Sequence, residues 1–424
     1  MEVSAHGVSA PATVYEIGGQ RIEVASSGFA KAIANAHAVR QRPRCMCIPE
    51  GVEMYVAGLA GPHEVYIVKR MPDTGCRHAP DCPSYEPPAD LSGLGQVLGS
   101  AITEDSATGQ TSLRLGFSLT KMPGRSQLPP AGGENDSVAT DGTRLSLRGL
   151  LHYLWDQAEL TRWHPGFAGK RTWGTVRRQL LSASEDKFAR GDSLRSRLYI
   201  PETFFVAQRD AINARRNAQW LQALSVPGKP QYLMLLVGEV KEIVPARYGF
   251  KAVVKHVPDQ AFALDQQLYR RLGRRFEAEL SLWGASGHTH MMIIATFSVA
   301  ETGVPAISEL SLMPVTQHWL PVENAFDEQL VDRLVNQGRA FRKGLRYNLP
   351  AGFPLANATL IDTDGEPCSL RISREAEADI EESVQKETHQ LSHPPQRWIW
   401  HPEDGAMPPL PKKRLLSEAA DPRP

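Results

Sequence analysis

Four of the chain's five cysteines, Cys45, Cys47, Cys76 and Cys82, lie within one 38-residue window, and only Cys368 lies elsewhere. The start, Met1-Glu2-Val3-Ser4-Ala5-His6, lacks the basic residues and apolar stretch of a secretory signal, so a reducing, cytoplasmic setting is expected. Thiols clustered there point to a metal rather than to disulfides. His78 adds an imidazole. Val52–Ala57 and Glu64–Arg70 flank Gly58-Leu59-Ala60-Gly61-Pro62, which predicts a hairpin that returns the second cluster to the first. Zn²⁺ is the expected ion, because thiolate and imidazole ligands suit it, and four protein ligands make such a site structural.

Five candidate ligands compete for four positions. Cys45, Cys47, Cys76 and His78 give a C-x-C…C-x-H spacing like that of the SWIM zinc finger. Cys45, Cys47, His78 and Cys82 form the other set. Without a metal, the same thiols would be small buried hydrophobes.

Length bounds the architecture. A chain of 424 residues suits several domains, and the pattern predicts a multi-domain α+β protein. Thr13–Val24 reads as a hairpin about Gly18-Gly19 and Ser27–Arg40 as a helix capped by Ser26-Ser27. With the cysteine hairpin they form an α+β zinc-knuckle domain over 1–122, whose compact part ends near Pro87-Pro88. A polar linker or loop follows over 123–143. A basic helical domain, with a winged-helix unit as one option, occupies 144–229: Leu147–Ala158 and Trp173–Phe188 repeat apolar residues at helical spacing before an extended Leu198–Val206. A strand-rich domain over 230–318 carries Tyr232–Val237, Phe250–Val257 and Met291–Val299, with helical Asp265–Leu282 between them. An α/β segment covers 319–400: a helix within Trp319–Tyr347, strands Ala358–Asp362 and Cys368–Ile372, and a charged helix Arg374–Glu387. The chain after Pro394 is expected to be irregular, with a tail over 401–424. No apolar run reaches the length needed to span a bilayer.

Lys+Arg and Asp+Glu are both 47, which argues against a globally basic chain. The balance hides segregation, since Arg144 to Lys229 holds fifteen Lys/Arg against seven Asp/Glu. There Arg162-Trp163, Lys170-Arg171, Trp173 and Arg177-Arg178 interleave cations with indoles. Such residues can grip phosphate and stack on an exposed base, so DNA is a candidate partner and a protein partner is another. The same pattern also suits core tryptophans beside solvated arginines.

Other chemistry is thinner. His288 and His290 share a strand face without a third ligand nearby. Glu239-Val240-Lys241 has the E-x-K form of metal-dependent nucleases. Gly93, Gly95 and Gly99 mimic a dinucleotide loop with the wrong spacing and context, and no nucleophile elbow, P-loop or H-E-x-x-H motif is present.

Arg44-Cys45-Met46-Cys47, Cys82-Pro83-Ser84-Tyr85-Glu86-Pro87-Pro88, Leu154-Trp155-Asp156-Gln157-Ala158-Glu159-Leu160, Trp319-Leu320-Pro321-Val322-Glu323 and Gly338-Arg339-Ala340-Phe341-Arg342-Lys343 together resemble the bacterial domain-of-unknown-function 1173 family over nearly the whole chain. That family is marked by three N-terminal cysteines and occurs on integrative and conjugative elements. The resemblance implies that Cys45, Cys47 and Cys82 are the three, favours the ligand set with His78, and leaves Cys76 as the extra thiol.

The C-terminal third is also similar to the PD-(D/E)XK nuclease core. That resemblance places metal-binding acids where this chain reads Ala356-Asn357 and Ser369-Leu370-Arg371. It therefore implies an inactive copy, or one that uses Glu323, Asp362 and Asp364, or else Glu239 and Lys241 from the preceding strands. The leading expectation is a zinc-containing protein that binds DNA, or a partner on DNA, with a metal-dependent nuclease and a protein-interaction scaffold as alternatives.

Overall fold

The computed structural model describes residues 13–59, 65–72, 74–105, 108–121, 142–373 and 396–414. The turn at Ala60-Gly61-Pro62, nearly all of the 123–143 loop and the Arg374–Glu387 helix lie outside these. The chain is a mixed α+β protein that divides into two units. One comprises Met1–Pro88 with Glu104–Thr111, the other Ala89–Thr103 with Ser112–Pro424.

The described residues of the first unit form a five-stranded antiparallel sheet with one α-helix. Strands β1 (Val14–Ile17) and β2 (Gln20–Glu23) form the expected hairpin, with Gly18 and Gly19 both at positive φ. Helix α1 (Phe29–Ala38) follows and buries Ile33 and Ala36. Gly28, not Ser26 or Ser27, occupies its N-cap; Ser26 instead donates to the carbonyl of Glu23. Strands β3 (Arg44–Cys45), β4 (Val52–Leu59) and β5 (Val65–Arg70) complete the order β2-β1-β3-β4-β5.

In the second unit, short elements over 89–121 precede α2 (Leu147–Gln157), whose N-cap Ser146 accepts from the Gly149 amide at 2.9 Å. Short strand β6 (Arg162–Trp163) and helix α3 (Trp173–Ala183) follow; α3 ends five residues earlier than expected because Lys187–Ala189 turns into a hairpin strand. Strands β7 (Leu198–Tyr199), β8 (Met234–Pro245), β9 (Phe250–Val254) and β10 (Ala261–Leu264) lead to helices α4 (Gln266–Arg275) and α5 (Glu277–Ala285), split at Phe276. Strands β11 (His290–Val299) and β12 (Pro305–Val315) close the set.

These strands make a barrel. The order is β8-β9-β10-β12-β11, and β11 pairs back onto β8 from Met234↔Phe297 to Val240↔Met291. Closure leaves none of the five without a second neighbour. On β8, Met234 and Leu236 point into the barrel core, while Leu235 and Val237 join α2 and α3 in a second core. Burial on both faces explains the unbroken apolar run there.

Helix α6 (Ala325–Asn336) is capped by Asn324, whose side chain accepts from the amides of Phe326 and Asp327 at 3.0 Å. It buries Leu330, Val331 and Leu334 on a sheet of β13 (Phe341–Lys343), β14 (Ala358–Leu360), β15 (Cys368–Ile372) and β16 (Gln396–Trp400), with β6 at the far edge. The segments expected as separate domains over 144–229, 230–318 and 319–400 are thus interwoven. β6 pairs with β13, and one core spans α2, α3, the barrel and Tyr347. The chain after Pro394 is not wholly irregular either: β16 runs parallel to β15, burying Trp398 and Trp400 on alternate positions.

Candidate metal centre

In the first unit, β3 carries Cys45 opposite Tyr15 of β1 and Val52 of β4, which fixes its sulfur under the sheet. Cys47 lies two residues on, as the chain turns into β4. The β4–β5 hairpin then returns the chain to a loop beginning with a short 3₁₀ turn, Gly75–Arg77, followed by His78. Gly75 is required there: a Cβ would stand 2.7 Å from the Cβ of Glu86, whose amide donates to the Gly75 carbonyl. Arg70 pins the same loop through Glu86 at 2.5 Å and the Ser84 carbonyl at 3.2 Å.

Cys45, Cys47, His78 and Cys82 converge, with all four ligand atoms within 4.8 Å of one another. Cys45 Sγ lies 3.7 Å from Cys82 Sγ, and His78 Nδ1 lies 3.4 Å from Cys47 Sγ and 3.7 Å from Cys82 Sγ. Zinc–sulfur bonds of about 2.3 Å give tetrahedral S···S edges of about 3.8 Å, and S···N edges of about 3.6 Å. The four atoms therefore fit a tetrahedral ion. The amides of Ala79 and Ser84 donate to Cys47 Sγ and Cys82 Sγ at 3.4 Å each, which supports thiolate charge.

The thiols are electrostatically unequal. The hydrogen bond from Cys45 holds Cys82 down, to about 4, against burial and with help from His78. Cys45 is pushed up by the same hydrogen bond and by burial, and Cys47 chiefly by burial. A cation would remove this conflict by taking all three as thiolates. Cys76 is exposed and outside the cluster, so the C-x-C…C-x-H set is not the one assembled; Cys368 is buried in the second unit.

The basic middle segment is placed differently from a phosphate-gripping surface. Trp163 and Trp173 are 1% and 6% exposed, and Trp173 donates its indole N–H to the Pro201 carbonyl at 3.0 Å. Arg171 turns inward: its guanidinium donates to the carbonyls of Leu160 (3.0 Å), Glu159 (3.3 Å), His318 (3.4 Å) and Arg162, and it lies over the Trp163 and Phe167 rings. Burial lowers its pKa to about 10. Arg177 donates to the Ile200 carbonyl at 3.1 Å, and Arg162 is half-buried. Only Lys170 and Arg178 of the seven stand fully in solvent.

The candidate nuclease acids do not converge; among the described residues the Cys/His group is the one cluster arranged for a metal. Arg346 clamps Glu323 from Nε at 3.0 Å and from Nη2 at 2.7 Å, and against burial holds it down to about 2. Arg339 clamps Asp362 at 2.9–3.2 Å, and Asp364 is exposed. Buried Glu239 meets Lys255 Nζ at 2.5 Å and His290 Nδ1 at 2.6 Å, not Lys241. A bulge between Val240 and Glu242 interrupts the strand alternation there and leaves Lys241 in solvent. His288 is exposed and apart from this contact.

No helix among the described residues is long and apolar enough to cross a membrane. No curated protein and no solved structure matches the chain. The family model for proteins of unknown function DUF1173 does match, over residues 15–403, a span that holds the converging cysteines, the barrel and the C-terminal sheet; the chain belongs to that family.

Proposed function

We propose that the chain is a nucleic-acid-binding protein whose first unit is held by structural zinc and which serves the mobile elements that the family resemblance implies. One observation carries the nucleic-acid reading. Helix α4, Gln-Gln-Leu-Tyr-Arg-Arg-Leu-Gly-Arg-Arg, contains four arginines and no acid. Leu268 and Leu272 anchor it in the barrel core, and Arg270, Arg271 and Arg274 stand in solvent. Glu309 on β12 is the acid whose charge Arg271 and Arg275 offset. A cationic helix face of this kind favours a polyanion over a neutral partner. The cationic surface thus lies outside the Arg162–Arg178 segment that composition alone suggests.

Anisotropy of labelled DNA, titrated across salt, tests this. Affinity should fall steeply with salt. Replacing Arg270, Arg271 and Arg274 together by Ala should lower the log–log slope by about one for each phosphate that is no longer neutralised. No binding at low salt overturns the reading.

The C-terminal sheet supports a second statement, that 319–400 is a nuclease-like core without activity. Helix α6 followed by the antiparallel strands β14 and β15 supports the helix and two short strands of the resemblance, with β13 and parallel β16 added to them. Arg346 pairs with Glu323, Arg339 with Asp362 and Lys343 with Asp327, which occupies these carboxylates with cations of the chain itself. Mg²⁺- or Mn²⁺-dependent plasmid nicking that disappears in Asp362→Asn would overturn it.

A further inference from the structure

The barrel has a specific connectivity. Its strands run β8-β9-β10-β12-β11 and back to β8, β10 and β12 are parallel at Ala263↔Ala306, and α4 and α5 are inserted between the third and fourth strands. That order is the five-stranded Greek key of the oligonucleotide/oligosaccharide-binding barrel. In such barrels ligands lie on the outer face of the second and third strands, between the loops joining strands one to two and four to five. We infer that the outer face of β9 and β10, with the loop 246–249, binds single-stranded nucleic acid. This rests on the nucleic-acid reading above and names the form of the ligand and the surface that takes it.

The face is defined by alternation. Ala252 and Val254 on β9, and Phe262 and Leu264 on β10, fill the barrel core, so Lys251, Val253, Ala261 and Ala263 point outward. Registers extend these into two rows, Val244–Lys251–Ala263–Ala306 and Glu242–Val253–Ala261. Apart from Lys251 and Glu242, the surface is therefore made of the small side chains of Val244, Val253, Ala261, Ala263 and Ala306, a shallow floor over which a flat base or a sugar–phosphate strand can pass closely.

One end of that floor carries an aromatic and cationic rim. The turn after β8 closes through the Ala246 amide on the Gly249 carbonyl at 3.0 Å. Gly249 has φ +85°, and a Cβ there would meet the Leu264 carbonyl at 2.7 Å, so the turn depends on glycine. It lifts Tyr248 to 82% exposure, with the Arg247 guanidinium 5.3 Å from its ring. Immediately after it, Phe250 stacks face to face on Tyr269 of α4, which ties the arginine-bearing helix to the same end of the barrel.

Chemistry favours a single strand over the other occupants. A solvated tyrosine ring stacks on an unpaired base, whereas duplex bases are already stacked. Arg247, Lys251, Arg270, Arg271 and Arg274 outnumber Glu242, Asp265 and Glu309, which favours a polyanion over a neutral oligosaccharide.

The test uses the full chain with a labelled oligo(dT) of about 20 nucleotides and a duplex of matching length. The single strand should bind at least about tenfold tighter. Tyr248→Ala should weaken it about tenfold, Tyr248→Phe should retain it, and neither should move the thermal unfolding midpoint, because the ring packs on nothing in the core. Lys251→Glu should weaken it as well. Equal or tighter duplex binding, with Tyr248→Ala unchanged, overturns the single-strand face while leaving the nucleic-acid reading intact. Binding of neither probe removes both.

Discussion

Lys343 on β13 and Asp327 on α6 form an ion pair of 3.1 Å in which neither side chain reaches solvent, at 1% and 0% exposure. The rest of Asp327 is spoken for: Oδ1 accepts from Asn357 Nδ2 at 3.1 Å and Oδ2 from the Glu323 amide at 3.0 Å. Lys343 also donates to the Gly344 carbonyl at 3.2 Å. The pair thus sits against Asn357, just before β14, where the nuclease resemblance places a metal-binding acid.

Breaking this pair from one side strands a buried charge. Lys343→Met should destabilise the protein by about 3–5 kcal/mol, and Asp327→Leu by a similar amount, whereas the double replacement should recover much of the loss. A double-mutant cycle in urea reads this directly. Additive losses would show that the two residues act independently.

Glu323 makes stability depend on acid. Its carboxyl titrates at an ordinary 4.5 when unfolded and at about 2 in the fold, where Arg346 outweighs the penalty of burial. The native state therefore binds fewer protons between those values. Its contribution is fully present above about pH 4.5 and is lost as pH falls toward 2. Glu323→Gln should be less stable than the parent at about pH 5 and lose less on acidification to about pH 3. Parallel stability curves for the two proteins would refute the linkage.

What was legible in the sequence follows from interaction range. The cysteine set and its hairpin could be read because β3, β4 and β5 are neighbours in the chain, and ligand spacing carries its own geometry. Helices α1, α2, α3 and α6 announced themselves by apolar periodicity. Strand β12 went unread, since it starts at Pro305, holds Pro314, and keeps Ser308 and Glu309 outside an unbroken apolar run. Barrel closure rests on β8 meeting β11 more than fifty residues later, a register that no local pattern encodes. The Arg–Trp interleaving misled for the same reason: one of the carbonyls that captures Arg171 belongs to His318, 147 residues away.

Arg171 should accordingly matter to folding and not to nucleic-acid affinity. Arg171→Ala leaves several inward carbonyls without a donor and removes the cation from the Trp163 and Phe167 rings. A loss of about 2–4 kcal/mol in urea unfolding is expected. DNA affinity of the folded variant should match the parent. A selective fall in affinity with unchanged stability would return Arg171 to the binding surface.

Zinc should separate the four clustered thiols by reactivity. Cys76 is exposed and outside the ligand set, so it should react quickly with a thiol reagent whether or not metal is present. Cys45, Cys47 and Cys82 should react only after a chelator strips the ion, because thiolates bound to metal are withdrawn from attack. Metal analysis should find about one zinc per chain in the parent and in Cys76→Ser, and little in Cys82→Ser. The Cys82→Ser loss should come with weakened order in the first unit, since the ion joins β3 to the loop that follows β5. Prompt reaction of Cys45, Cys47 and Cys82 without chelator, in a folded protein free of zinc, would show that these thiols pack without an ion.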